Sequence, residues 1–151
     1  MKKYELTSDT KIVFGHILYR IKALSSFGCV SAGDLGGFLE SEKNLSQNGD
    51  AWVYGDARVY GNARVYGNAE VSKIGSIFWI GAVGSRNDTA TFFRCTDGVV
   101  RVTCGCFFGN LDEFAKKVRK THGDNDHAKV YMLAIDMAKI RISTEKEKTE
   151  E

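Results

Sequence analysis

The chain has no proline among its 151 residues, so its bends fall to 16 glycines and to residues that tolerate positive φ. It also has no apolar run near the ~20 residues that span a bilayer. Met1-Lys2-Lys3-Tyr4-Glu5 holds no apolar stretch of a secretory leader. The sequence therefore predicts a cytoplasmic protein with no membrane partner. A charge excess of either sign is missing too: 21 Lys and Arg stand against 19 Asp and Glu, a net +2. That balance excludes a DNA mimic and leaves no dense basic face, so no sequence-specific nucleic-acid binding is expected. The four cysteines, Cys29, Cys95, Cys104 and Cys106, default to thiols in a reducing compartment. No HxH, paired-carboxylate or phosphate-loop motif occurs. No cofactor or metal is expected, and no residue is assigned as catalytic.

What the sequence does have is a repeat. Val53-Tyr54-Gly55-Asp56-Ala57-Arg58 is followed by Val59-Tyr60-Gly61-Asn62-Ala63-Arg64 and by Val65-Tyr66-Gly67-Asn68-Ala69-Glu70, with Val71 beginning the next unit. A weaker copy, Gln47–Trp52, precedes them. A period of six fits neither an α-helix nor a hairpin array. It fits a three-sided coil in which each hexapeptide is one short strand and one turn. Val points inward, Ala fits the corner, and Gly followed by Asn or Asp accepts the bend. The pattern resembles the hexapeptide repeats of left-handed parallel β-helices. Looser copies upstream (Val30–Leu39) and downstream (Ile74–Gly84) place this solenoid over about residues 28–84. Trp52, Tyr54, Arg58, Tyr60, Arg64 and Tyr66 are then outward, a ladder able to bind a partner and equally made of good β-surface residues. Exposed edges and aromatic surface predict a homo-oligomer.

Residues 11–24 read as a hairpin turning at Gly15-His16, which makes 1–27 an N-terminal cap. Beyond the repeat the period changes to two. Thr91–Cys95 and Val99–Cys104 flank Asp97-Gly98, the strongest short-range hairpin signal. Taken as a two-residue turn, it sets Arg94 opposite Arg101 and Phe93 opposite Val102. Cys95, Cys104 and Cys106 then share an apolar face. Phe92, Arg94, Arg101 and Thr103 share the other, where two unpaired guanidinium groups beside a ring suit phosphates and a stackable base. The loop Gly84–Thr89 adds Arg86 and Asn87. The competing reading is a solvated face with arginine stems packed on Phe92.

Two helices close residues 85–142, one capped by Asn110 with Glu113 three on and ended by Gly123, the other running from Asp124-Asn125 to about Ile142. Residues 143–151 form a charged tail. The fold class expected is mainly β with C-terminal helices (α+β). In it a short left-handed parallel β-helix lies between an N-terminal hairpin and a C-terminal hairpin with two helices.

The repeats, the opening Met1–Thr7, and Gly84–Asn87 through Thr91–Arg94 together resemble small phage and prophage proteins of Firmicutes. That resemblance carries no catalytic residue. It implies a host bacterial cytoplasm and an anti-defence role, in which a rigid oligomer sequesters a nucleotide-derived immune signal of the cyclic dinucleotide or ADP-ribose type. Two alternatives stand beside it: an inhibitor that binds a host defence protein through the Tyr/Arg ladder, and a hexapeptide-repeat acyltransferase. The repeat contains no histidine to serve the latter as a base. A nucleotide-cleaving enzyme using His122 or His127 is the remaining reading.

Overall fold

Alternation over the first two dozen residues folds as a hairpin, β1 (Tyr4–Val13) and β2 (His16–Ala23). It belongs to the first of two units, Met1–Ile74 and Gly75–Glu151, of a computed structural model that describes residues 2–142. The charged tail over 143–151 lies outside the described residues. Val13 pairs with His16, so the turn is Phe14-Gly15 rather than Gly15-His16. Both turn residues have positive φ, 50° and 83°, as the hairpin twist demands. Phe14 is 89% exposed. His16 is half-buried, and its Nδ1 lies 2.8 Å from Glu40 Oε2.

The hairpin continues into a mixed sheet of order β1-β2-β3-β5. Its β3 (Leu35–Leu39) runs antiparallel to β2 and parallel to β5 (Arg58–Val59). β4 (Trp52–Val53) and β6 (Glu70–Val71) form a separate parallel pair, and Leu45 bridges Val65 in parallel. The hexapeptide register decides burial. Val53, Val59, Val65 and Val71 are fully buried, as are Ala51, Ala57, Ala63 and Ala69 to within 1%. Close stacking leaves no room for a side chain at Gly37 of β3: a Cβ there would lie 2.5 Å from the Ala57 carbonyl oxygen and 2.6 Å from Val53 Cγ1.

Polar groups close the interior. Asn44, fully buried, donates through Nδ2 to the Gly61 and Ala63 carbonyls, while its Oδ1 accepts from Ser41 N–H. Lys3, 5% exposed, donates through Nζ to the Gly49 and Ala51 carbonyls. Burial lowers the Lys3 pKa to about 8, against an opposing pull from Asp50. Below that value the folded and unfolded chains both carry the ammonium, and the cost of burying it is fully present. Above it the unfolded chain holds more protons, so stability rises with pH. Tyr4 limits the rise, because burial pushes its hydroxyl well above the ordinary 10.0 and the unfolded chain then sheds a proton that the fold keeps. Urea unfolding of the wild type against Lys3→Met should show the wild type gaining relative stability from about pH 8 to 10. A flat difference across that window would refute the assignment.

The second unit is an antiparallel meander of order β10-β9-β8-β7, built from β7 (Ile77–Val83), β8 (Asp88–Arg94), β9 (Val100–Cys104) and β10 (Phe107–Asn110). Two helices follow, α1 (Leu111–His122) and α2 (Asp126–Arg141). Asn110 caps α1 by accepting from Glu113 N–H, while the Glu113 carboxylate accepts from Asn110 N–H. Ala90, Phe92, Val100 and Val102 of the sheet pack in one cluster with Phe114, Val118, Tyr131, Ala134, Ile135 and Ala138 of the helices.

The chain is thus mainly β with two C-terminal helices. The two four-stranded sheets are mixed and antiparallel, and among the described residues parallel pairing within 28–84 is limited to β3–β5, β4–β6 and the Leu45–Val65 bridge, short of the full parallel β-helix expected there. Ile77–Val83 does not extend the repeat, because its apolar run lacks the Val-x-Gly spacing and pairs antiparallel with β8, Ile77 opposite Phe93. The β8–β9 hairpin also differs by one residue from the two-residue turn. Gly98 N–H donates to the Cys95 carbonyl and Cys95 N–H to that of Val99. Thr96-Asp97-Gly98 is therefore a three-residue loop with Gly98 at φ 81°. Phe93 then faces Arg101, and Arg94 faces Val100. A slip of one residue exchanges the two faces of a strand, so Arg94 and Arg101 lie on opposite sides of the sheet. The three thiols also part: Cys95 is buried, Cys104 half-buried and Cys106 exposed.

Candidate functional site

Two turns and two helices of the second unit enclose a pocket of about 410 Å³. The β7–β8 turn contributes Ser85 and Arg86, with Asp88 at the start of β8; the β9–β10 turn contributes Gly105 and Cys106. α1 presents Phe114, Lys117, Val118, Thr121 and His122, residues three and four apart and so on one face. α2 adds Tyr131.

Glycine shapes the rim. Gly84 has φ 75°, and a Cβ there would meet the Tyr131 hydroxyl at 1.9 Å. The Tyr131 ring stacks on His122 with centroids 5.8 Å apart, and His127 lies 5.4 Å from His122. Gly84→Ala should push the Tyr131 ring out of its seat. Added strain of about 1–3 kcal/mol is expected from overpacking together with the unfavourable φ. Thermal denaturation measures the cost, and near-wild-type stability would show that Tyr131 yields freely.

Burial acts on two of the pocket's titratable groups, Cys104 and Tyr131. Burial pushes the Cys104 thiol up, with the Tyr131 hydrogen bond pulling slightly the other way. Burial likewise raises Tyr131 to about 12, helped by Cys104 and Asp88. At neutral pH both stay protonated, so neither supplies the ionised nucleophile or base that covalent or acid–base chemistry requires. Tyr131 remains a hydrogen-bond donor, and Arg86 and Lys117 bring positive charge against one carboxylate, Asp88. Among the described residues no three His, Cys, Asp or Glu side chains converge on a metal-sized gap. A larger depression, about 560 Å³, lies by Val99, Val100, Leu111 and Asp112 and offers one cation, Lys139.

Of the ligand residues read from sequence, Arg86 lines the pocket and Asn87 sits beside it in the exposed turn at φ 53°. The other four do not join them. Phe92 is fully buried between Phe78 and Phe114. Arg94 is half-buried on β8. Arg101 forks onto Asp97 through two hydrogen bonds of 3.0 and 2.9 Å, so the hairpin does supply an acidic partner. Thr103 is buried opposite Thr91. Lys117, Thr121 and Tyr131 are not among the site residues read from sequence, and His122 enters there only as a candidate of a nucleotide-cleaving enzyme. The apolar helical spacing that carries Phe114, Val118 and His122 is legible in the sequence, but its facing the β7–β8 turn is not.

The outward ladder changes as well. Trp52 is 1% exposed, with its ring edge-on to Tyr4 and Phe27. Tyr54, Arg58, Tyr60 and Tyr66 are half-buried, and Arg64 is exposed. Tyr60 packs on His16 at 4.9 Å. No helix of the described residues is long and apolar enough to cross a membrane. The chain matches no protein family model, and no curated protein is significantly similar to it.

Proposed function

We propose that this chain is a non-enzymatic binding protein of phage type, acting against host defence in the bacterial cytoplasm by sequestering a nucleotide-derived signal in the Arg86–Lys117–Tyr131 pocket. The observation that carries the reading is the pairing of two cations with protonated donors in a partly apolar cleft. Phosphate oxygens take charge-assisted hydrogen bonds from Arg86 and Lys117, and a base rests against Phe107 and the His122–Tyr131 stack. The volume of about 410 Å³ lies low in the ~300–1,000 Å³ range of small-molecule sites. That favours one nucleotide unit held per pocket, as in an ADP-ribose-type ligand or half of a cyclic dinucleotide.

The finer fold belongs to the same proposal. Val53 pairs in parallel with Val71, three hexapeptides on, while Leu39 pairs with Val59 and Leu45 with Val65. This spacing supports a short coil of the hexapeptide kind over the repeat, and its left-handed winding is proposed from the resemblance of the repeat alone. Homo-oligomerisation is part of the reading. The host-protein inhibitor has less support, because Trp52 is core and most of the ladder is half-buried.

Calorimetry against ADP-ribose, mononucleotides and cyclic dinucleotides tests the function. Binding of at least one, with the ligand recovered intact, is the expected result. Silence towards all of them, or recovery of cleaved products, would overturn it.

A further inference from the structure

Helix α2 is apolar on two opposite faces. One carries Ala128, Tyr131, Ala134, Ile135 and Ala138, all buried in the core of the second unit. The other carries Val130, Leu133, Met137 and Ile140, which are 42%, 62%, 42% and 87% exposed. Their spacing of three, four and three residues draws a straight seam. A solvent-facing helix in a monomer is polar on its outer side, and a helix apolar all round is buried all round. α1 keeps to the rule: its buried side chains are Phe114 and Val118, and Lys116, Lys117, Arg119 and Lys120 are exposed.

We propose that the outer seam of α2 is covered by a second copy of this chain, with the two α2 helices antiparallel across a two-fold axis near Leu133. Charge selects that occupant and orientation. Lys129 and Asp136, both exposed, lie one heptad apart on the same flank of the seam. With Leu133 on Leu133 of the second copy, Val130 meets Met137 of the second copy. Lys129 then approaches Asp136 of the second copy, and the two-fold repeats the ion pair. The flank is thus complementary to itself, as an isologous interface requires. A parallel pairing would press it against the opposite flank, where Ala134 is already buried in its own unit. The ion pair that Lys129 makes with Asp126, 3.9 Å long between exposed groups, is weak enough to be exchanged.

The seam is short. Eleven residues of helix span about 16 Å, and four apolar side chains bury less than the ~800 Å² per partner of a standard stable interface. A dimer dissociating in the micromolar range is therefore expected. Sedimentation equilibrium on the full chain should show monomer and dimer exchanging with concentration. Leu133→Glu should leave only monomer with an unchanged melting profile. Lys129→Asp or Asp136→Lys alone should weaken the dimer about five- to tenfold, and the two together should restore it. That rescue keeps the proposal testable should Leu133→Glu fold poorly. A monomer at every concentration, a dimer indifferent to Leu133→Glu, or a double exchange no better than the singles would each overturn the assignment.

Discussion

Trp52→Ala is expected to destabilise the protein by about 3–5 kcal/mol, the range for removing a large buried aromatic. The indole is 1% exposed and touches two other rings, Tyr4 and Phe27, at centroid distances of 6.2 and 5.3 Å. Tyr4 is held back from filling the cavity, because its hydroxyl donates to the Leu45 carbonyl at 2.6 Å. Against a total stability of ~5–15 kcal/mol for a domain of this size, the loss removes a large share of the folded population. Chemical denaturation monitored by circular dichroism gives the number. A variant that melts like the wild type but loses a binding partner would show instead that Trp52 serves a surface. Arg64→Ala, on an exposed residue of the same repeat, supplies the contrast with an expected change within ~0.5 kcal/mol.

The second large effect falls on ligand affinity. Arg86→Glu should weaken binding of a phosphate-bearing ligand by about 100-fold or more. A charge-assisted hydrogen bond contributes ~1.5–3 kcal/mol, each 1.4 kcal/mol is tenfold, and reversal adds repulsion where attraction stood. Because Arg86 is exposed in a turn, the melting temperature should hold. Lys117→Glu should act in the same direction. Arg101→Ala should leave affinity alone and cost stability instead, through loss of the fork onto Asp97. Calorimetry on the three variants distinguishes the pocket from the hairpin face: if Arg101→Ala abolished binding while Arg86→Glu did not, the site would lie on the sheet.

The contrast between Arg86 and Arg101 marks where the residues stop speaking for themselves. Period six at Val53, Val59, Val65 and Val71 fixes which side chains are buried whatever the strands are called. The Asn110–Glu113 capping box likewise announces α1. Asp97-Gly98 announced a hairpin but not its loop length, because Asp-Gly serves both a two-residue turn and a three-residue loop ending in positive φ. That one residue decided which face each arginine takes. Trp52 misled for a different reason. Within the repeat it occupies the position of Arg58 and Arg64, and Tyr4 and Phe27, arriving from distant segments, help turn that position into core. The pocket was hardest to foresee because its walls come from two turns and two helices, and no spacing within one segment records a meeting of four.

Strand β3 joins an antiparallel neighbour on one edge to a parallel neighbour on the other, and that asymmetry orders events in time. The β1–β2 hairpin closes through a two-residue turn and can form within about 1–10 μs, whereas β5 reaches β3 only after the intervening residues 40–57 have been gathered in, at the entropic cost of loop closure. The hairpin therefore acts as a template on which the hexapeptides find their alignment. Deleting Tyr4–Ala23 would leave β3 as an unpaired rim with free N–H and C=O groups, open to its own kind, and the expected fate of such a truncated chain is aggregation rather than a smaller fold.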